Sequence, residues 1–304
     1  MTVPPPTPKR PLNRPAIVPI AASFSVRDGG MVGILEVVPA AATLAEALQP
    51  LRVDPARAAV LLDVDGTLAP IVRHADDAQV PEPTRVPLIE VAKRYGVVAC
   101  VSGRRAATAR QIVAIGSIAY VGNHGGELLR PGRREPELDP DVAAYARRVQ
   151  TFARRHWTDE LHRLRVRAED KDAIAAYHWR GAPDEAAAEA AVRDLAAEAE
   201  HQGLAVHWGR KVLEVRPPVA LDKGRGVVRL LRSADVDAAL YVGDDRTDLD
   251  AFRGLRDELA VGRLSAAVCV GVRSDETPEE LEREADLLVD GPRGVRGLLQ
   301  ALLD

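Results

Sequence analysis

The chain has 304 residues, a formal net charge of −4, 46% hydrophobic residues and 4% aromatic ones. That length fits one large or two smaller domains, and an acidic balance with no basic run argues against nucleic acid as a partner. No apolar run approaches the ~20 residues of a membrane span, and Cys100 and Cys269, both inside apolar runs, indicate buried thiols in a reducing, cytoplasmic setting rather than a disulfide.

Residues 1–54 form an N-terminal segment that opens proline-rich, so extended or partly disordered chain is expected there. The run AIVPIAA (16–22) follows basic residues as a secretory leader would, but it is short and broken by Pro19. A short helix is expected over 43–51. The next run, Ala58 to Leu62, is unbrokenly apolar and ends in Asp63, Asp65, Gly66 and Thr67. Such a run fits a strand covered on both faces, and Asp-Gly forces a turn, which puts two carboxylates at the carboxyl end of a parallel strand. A helix follows near 83–95, a second buried strand in GVVACVSG (96–103), a helix capped by Ser102 and running to about 115, and a strand over 118–123. This alternation marks a doubly wound sheet, first part 55–125.

The pattern changes over 126–218. Val142, Tyr145, Val149 and Phe152 share one face of a helix at 140–157. Strands follow at 164–169 and 173–179, a helix at 184–200, and strands at 204–208 and 211–216. Helix plus hairpin, twice, describes an inserted α+β unit closed by Pro217-Pro218. The alternating pattern returns over 219–304, with a helix from Lys223, a strand at 239–243, a helix at 247–256, strands at 267–271 and 286–289, and a terminal helix.

Asp63/Asp65, the SGR string at 102–104, the isolated Lys223 and GDDRTD (243–248) occur in the order found in the haloacid dehalogenase superfamily of phosphatases, which the chain resembles. The expected fold is therefore an α/β, doubly wound parallel-sheet, haloacid-dehalogenase-like core with an inserted α+β cap domain. A phosphate monoester is doubly negative, and the carboxylates of Asp63, Asp65, Asp244, Asp245 and Asp248 would repel it unless a cation sits among them. Hard oxygen ligands beside phosphate point to Mg²⁺. Asp63 is then the nucleophile, and Asp65 the acid that protonates the leaving oxygen and the base that activates water. The resemblance supports both roles and adds the main-chain carbonyl of Asp65 as a ligand. Asp244 is the expected side-chain ligand; Asp248 is a second ligand or an orienting partner, and Asp245 is open between the two. Ser102 fits a phosphate contact through its hydroxyl and nearby amides, or a plain helix cap, and the two are compatible. Lys223 by itself fits a solvated surface lysine; the resemblance sets it against the transferring phosphoryl group, and carries Thr67, Gly103 and Arg104 with their motifs among the substrate-binding residues.

In AEDKDAIAAYHWR (168–180), Glu169 lies two residues from Lys171, and His178 two from Arg180, so each pair shares a strand face. Such a face hydrogen-bonds sugar hydroxyls or is simply a charged hairpin. LLDVDGTLAPI, VSGR, VGNHGGE, EDKDAIAAYHWR, VLEVRPP, DKG and YVGDDRTDLDAF together resemble the trehalose-6-phosphate phosphatase family across roughly 55–304. The resemblance implies a cap closing over the core, with Glu169, Lys171, His178, Arg180 and Glu214 on the disaccharide and with Asn123 and His124 where core meets cap. His124 alone would read as a structural hydrogen-bonder. Asp172 stands where the family usually has glycine, and Val64 where phenylalanine is common. The implied activity is hydrolysis of trehalose 6-phosphate by a monomer functionally paired with the synthase. The alternatives are phosphatase action on another phosphosugar, such as sucrose phosphate or glucosylglycerol phosphate, and a non-catalytic sugar-phosphate sensor or synthase partner.

Overall fold

The structure is a computed structural model that describes residues 43–72 and 77–304. The readings made above over 1–42 lie outside these residues. Thr43 and Glu46 open helix α1 (Leu44–Val53) with a reciprocal cap: Thr43 N–H donates to Glu46 Oε2 at 2.8 Å, and Glu46 N–H to Thr43 Oγ1 at 3.3 Å. Then come β1 (Ala58–Asp63), α2 (Glu82–Arg94), β2 (Val97–Val101), α3 (Ala106–Val113), β3 (Ala119–Gly122), β4 (Glu127–Leu129) and β5 (Glu137–Leu138). The cap comprises α4 (Pro140–His156), α5 (Asp159–Arg163), β6 (Arg167–Asp170), β7 (Ala175–His178), α6 (Glu185–His201), β8 (Ala205–Gly209) and β9 (Val212–Arg216). The chain returns through α7 (Lys223–Arg232), β10 (Ala238–Gly243), α8 (Asp248–Ala260), β11 (Ala266–Arg273), α9 (Glu279–Glu284), β12 (Leu287–Asp290) and α10 (Gly291–Ala301).

The core is an eight-stranded sheet in the order β12-β11-β10-β1-β2-β3-β4-β5, parallel from β12 to β3. All six residues of β1 are buried, as its unbroken apolar run requires. Alternate side chains feed two separate cores. Val60 and Leu62 pack with Leu88, Val91 and Leu298 on one face; Ala59 and Leu61 pack with Val227, Leu230, Phe252 and Leu255 on the other. Each leucine so buried contributes about 1.5–3 kcal/mol relative to exposure. With helices on both faces, the carboxyl ends of β1 and β10 side by side are left as the open edge, and that edge carries Asp63 and Asp244. Cys100 and Cys269 are free and buried on β2 and β11.

The cap has its own four-stranded antiparallel sheet, β6-β7-β9-β8, and its own core around Phe152, Tyr177, Trp179, Val192 and Leu213. Two expectations shift. Strands β4 and β5 pair antiparallel with β3 and extend the core sheet, so residues 127–138, taken above as the start of the cap, belong with the core sheet, and the cap begins at Pro140. The reason is local: β5 has two residues in a charged, proline-bounded stretch that reads as loop. The helix after β2 starts at Ala106, not at Ser102, and its N-cap Arg105 makes no side-chain cap bond.

Candidate active site

Asp63 ends β1 and is 4% exposed. Lys223, at the first position of α7 and also buried, donates from Nζ to Asp63 Oδ1 at 2.8 Å and to Asp248 Oδ1 at 2.7 Å. Asp248 opens α8 and is fully buried. Its Oδ1 also accepts from Tyr241 Oη at 2.6 Å, and its Oδ2 accepts from the main-chain N–H of Asp244 and of Asp245, both at 2.9 Å. Asp248 therefore holds Lys223 and Tyr241 with one oxygen and the β10–α8 loop with the other. Asp244 is held from the other side by Thr67 Oγ1, 3.1 Å from Oδ1. Ligand oxygens of Asp63, Asp244 and Asp248 lie within 4.8 Å of one another. Asp245 is exposed, stands 3.7 Å from Lys223, and ties its Oδ1 to the N–H and hydroxyl of Thr247.

Burial, reinforced by the neighbouring carboxylates, pushes Asp63 well above the usual carboxylate range against the pull of Lys223. Asp244 is raised to about 7 by burial and then by Asp248 and Asp245. Lys223 stays a cation because Asp248 and Asp63 outweigh the cost of burying it. One ammonium is too little charge for three clustered, buried carboxylates. The donor set, all hard oxygens and short of positive charge, fits a divalent cation such as Mg²⁺.

Gly66 takes φ +86°, and a Cβ there would fall 2.0 Å from Asp244 Oδ2. Gly66→Ala is expected to push Asp244 off the cluster and to cut turnover about a hundredfold, while thermal melting falls by a few degrees for the left-handed backbone. Turnover within severalfold of wild type would show that Asp244 is not needed where it stands.

Asp65 points elsewhere. Both its oxygens are held by Arg104, Nε to Oδ2 and Nη2 to Oδ1, each at 2.7 Å. Ser102, 1% exposed, accepts the Arg104 N–H at 3.1 Å through its hydroxyl, so it organises the loop rather than the helix end expected of it. That loop is strapped to the next by two main-chain bonds, Asn123 N–H to Arg104 O at 2.7 Å and His124 N–H to Ser102 O at 3.2 Å. The His124 ring lies over Gly103, where a Cβ would meet its Cε1 at 2.6 Å. Burial, then Arg216, lowers His124 to about 4, so it is neutral at neutral pH.

Three residues were missed. Glu127, the last letter of GNHGGE, is buried; its Oε2 takes the N–H of Ala106 at 2.8 Å and its Oε1 the Asn123 side-chain amide at 2.6 Å. It supplies from another strand the cap that Ser102 was expected to give. A buried carboxylate beside Gly-Gly was the available signal. Tyr241, in YVGDD, was legible as a buried hydroxyl in want of an acceptor. Arg105, next to SGR, is the third.

Four of the cap residues line one cavity, with one change of geometry. β6 stops at Asp170 and β7 at His178, so Lys171 and Arg180 reach out from the turns beyond them rather than sharing strand faces with Glu169 and His178. Glu169 Oε2 meets His178 Nε2 at 3.0 Å, and Arg180 donates to Arg210 O at 3.2 Å. Glu214, on β9, holds Lys171 Nζ at 2.8 Å and Arg216 Nε at 2.9 Å, and those two cations lower it to about 2 despite burial. Glu169, Lys171, His178 and Arg180 face Asp65 and Arg104 across a cavity of about 1080 Å³. Glu214 joins this wall through Lys171.

An α/β core with acidic strand ends and a small α+β cap has the haloacid-dehalogenase-like fold. A Bacteroides thetaiotaomicron haloacid dehalogenase-like hydrolase has the same fold, with a TM-score of 0.55 at 16% identity over 80% of this chain and 98% of that one. The family model described as Trehalose-phosphatase matches residues 61–284, and the chain belongs to that family. Among curated relatives, the trehalose-phosphate phosphatase of Mycobacterium avium is 36% identical over 204 residues, 65% of this chain and 51% of that protein. The Zea mays trehalose 6-phosphate phosphatase RA3 is 32% identical over 216 residues, 65% of this chain and 59% of that one. The chain thus spans about half the length of the curated relatives it matches. The C-terminal domain of C. albicans trehalose-6-phosphate phosphatase aligns with a TM-score of 0.60 at 22% identity, over 85% of this chain and 96% of that one. No helix among the described residues is long and apolar enough to cross a membrane.

Proposed function

We propose that this chain is a Mg²⁺-dependent phosphomonoesterase that hydrolyses trehalose 6-phosphate to trehalose and phosphate. One observation carries the reading: a single cavity joins Asp65 and Arg104 of the core to Glu169, Lys171, His178 and Arg180 of the cap. Asp63 is the nucleophile; its carboxylate oxygen bonds to phosphorus as the bond from phosphorus to the sugar oxygen breaks. Asp65 donates the proton to that leaving oxygen and later takes one from the attacking water, which releases phosphate and restores Asp63. Asp65 meets this role once its carboxylate turns from Arg104 to the leaving oxygen, and the Arg104 guanidinium then donates to a phosphate oxygen. Lys223 and Asp248 hold Asp63 and the Asp244 loop in place. Asp63, Asp244 and the main-chain carbonyl of Asp65 would hold Mg²⁺, which when bound offsets carboxylate and phosphate charge. Ser102, Gly103, Thr67, Asn123 and His124 shape the phosphate end, and the cap residues with Glu214 recognise the sugar.

The test is phosphate release from a panel of phosphosugars, with Mg²⁺ and with chelator. Trehalose 6-phosphate should be turned over at least about tenfold faster than sucrose phosphate or simple hexose phosphates. Chelation should cost about a hundredfold or more. Comparable turnover across the panel would overturn the narrow assignment, and full activity under chelation the metal.

A further inference from the structure

Arg105 carries a feature that the proposed chemistry leaves unused. Its main chain is fixed: the next N–H, that of Ala106, is held by buried Glu127. Its side chain crosses from core to cap, where the guanidinium pairs through Nη2 with Asp172. Its Nε is buried yet has no hydrogen-bond partner among the described residues. Arg105 also lines the cavity that holds Asp65, Arg104 and Lys171. A buried N–H with no acceptor is destabilising, and a ligand oxygen would satisfy it.

Asp172 has a matching oddity. It sits at φ 61°, a left-handed conformation that strains a non-glycine residue. Its N–H is bound by Asp170 Oδ1 at 2.8 Å, and its carboxylate is the group that meets Arg105. The neighbouring Lys171 carbonyl accepts from the Asn123 side-chain amide at 3.1 Å, so this cap turn is docked on the core at two adjacent points. A strained residue that spends its carboxylate on one guanidinium is placed to aim it.

We infer that Arg105 is a recognition residue for the sugar part of the phosphosugar, with Asp172 as its positioning residue and Nε–H as the donor to a ligand oxygen. The inference rests on the phosphosugar reading above. The Arg105 guanidinium meets Asp172, the residue that follows Lys171 on the cap, and lines the cavity shared with Glu169, Lys171, His178 and Arg180.

The test uses Arg105→Lys, which keeps the charge and removes the Nε donor and the fork. In an Asp63→Asn background, calorimetric affinity for trehalose 6-phosphate should fall about tenfold with Arg105→Lys and about threefold with Asp172→Gly. With Asp63 intact, Arg105→Lys should raise KM for trehalose 6-phosphate far more than kcat falls, and should change p-nitrophenyl phosphate turnover by about twofold, since that substrate lacks the sugar. Unchanged affinity in Arg105→Lys, or equal losses on both substrates, overturns the assignment; unchanged affinity in Asp172→Gly overturns the positioning role. If Asp63→Asn binds trehalose 6-phosphate and responds to Arg105→Lys while wild type releases no phosphate, the hydrolase reading falls and this one stands. If Asp63→Asn binds no trehalose 6-phosphate, both fall.

Discussion

Asp63→Asn is expected to abolish phosphate release, to about 10⁴-fold or more below wild type, while the protein keeps its fold. The side chain changes by one atom, and Asn cannot form the phosphorus–oxygen bond that a carboxylate forms. The stability side has a definite sign. Burial raises Asp63 above the ordinary carboxylate range, so its ionised form is disfavoured in the fold at neutral pH when no divalent cation is present. Neutral Asn removes that cost, and Lys223 keeps its 2.7 Å contact with Asp248. In metal-free buffer the variant should therefore melt at or a few degrees above wild type at pH 7. The advantage should shrink as pH falls from the raised folded-state value toward the ordinary carboxylate range, where the unfolded chain takes up the same proton. Added Mg²⁺ should raise the melting temperature of wild type more than that of the variant, because the variant has lost a ligand. Phosphate release within severalfold of wild type would remove Asp63 from the nucleophile's role, and an equal Mg²⁺ response would remove it from the metal set.

The sequence made the fold and the acidic edge readable because both rest on local pattern. A fully apolar strand that stops at Asp63 can only be central and covered on both faces, and the pairing of β1 between β10 and β2 follows that logic. The second cap hairpin carries Val206, Trp208, Val212 and Val215, whereas β6 (RAED) has no β-branched or aromatic residue and pairs with β7 through tertiary context. Contacts between distant segments were not readable. Nothing near Ser102 says that Glu127 will cap α3 in its place, because that bond forms only once β4 lies alongside β3. The short β5 carries no apolar period, so its membership of the core sheet is a tertiary fact. The pairing of Arg104 with Asp65 joins a turn and a loop 39 residues apart, so it too forms only in the folded chain. The acidic residues after Gly243 could be found but not sorted from sequence: exposure sets Asp245 apart, and bonds to Lys223, Tyr241 and two loop amides set Asp248 apart from Asp244.

That sorting makes Asp248→Ala the largest expected stability loss in the site. Asp248 is completely buried and is the common acceptor for Lys223, Tyr241 and the main-chain N–H groups of Asp244 and Asp245. Alanine leaves two amides and a phenol without an acceptor, and leaves a buried ammonium with Asp63 as its close partner. Breaking a buried ion pair from one side costs about 3–5 kcal/mol, and orphaned buried donors add to it. For a body of this size the melting temperature should drop by about 10 °C or more. Asp248→Asn should recover part of the loss, because its amide oxygen still meets the two N–H groups, while its NH₂ faces Lys223 without the charge that held it. The order wild type, Asn, Ala follows from one carboxylate serving a cation on one oxygen and a loop on the other. Activity should fall with it even at temperatures where both variants are folded, since the loop so held carries Asp244. An alanine variant that melts within about 2 °C of wild type would mean that the buried network is not what fixes this loop, and the site geometry would need another cause.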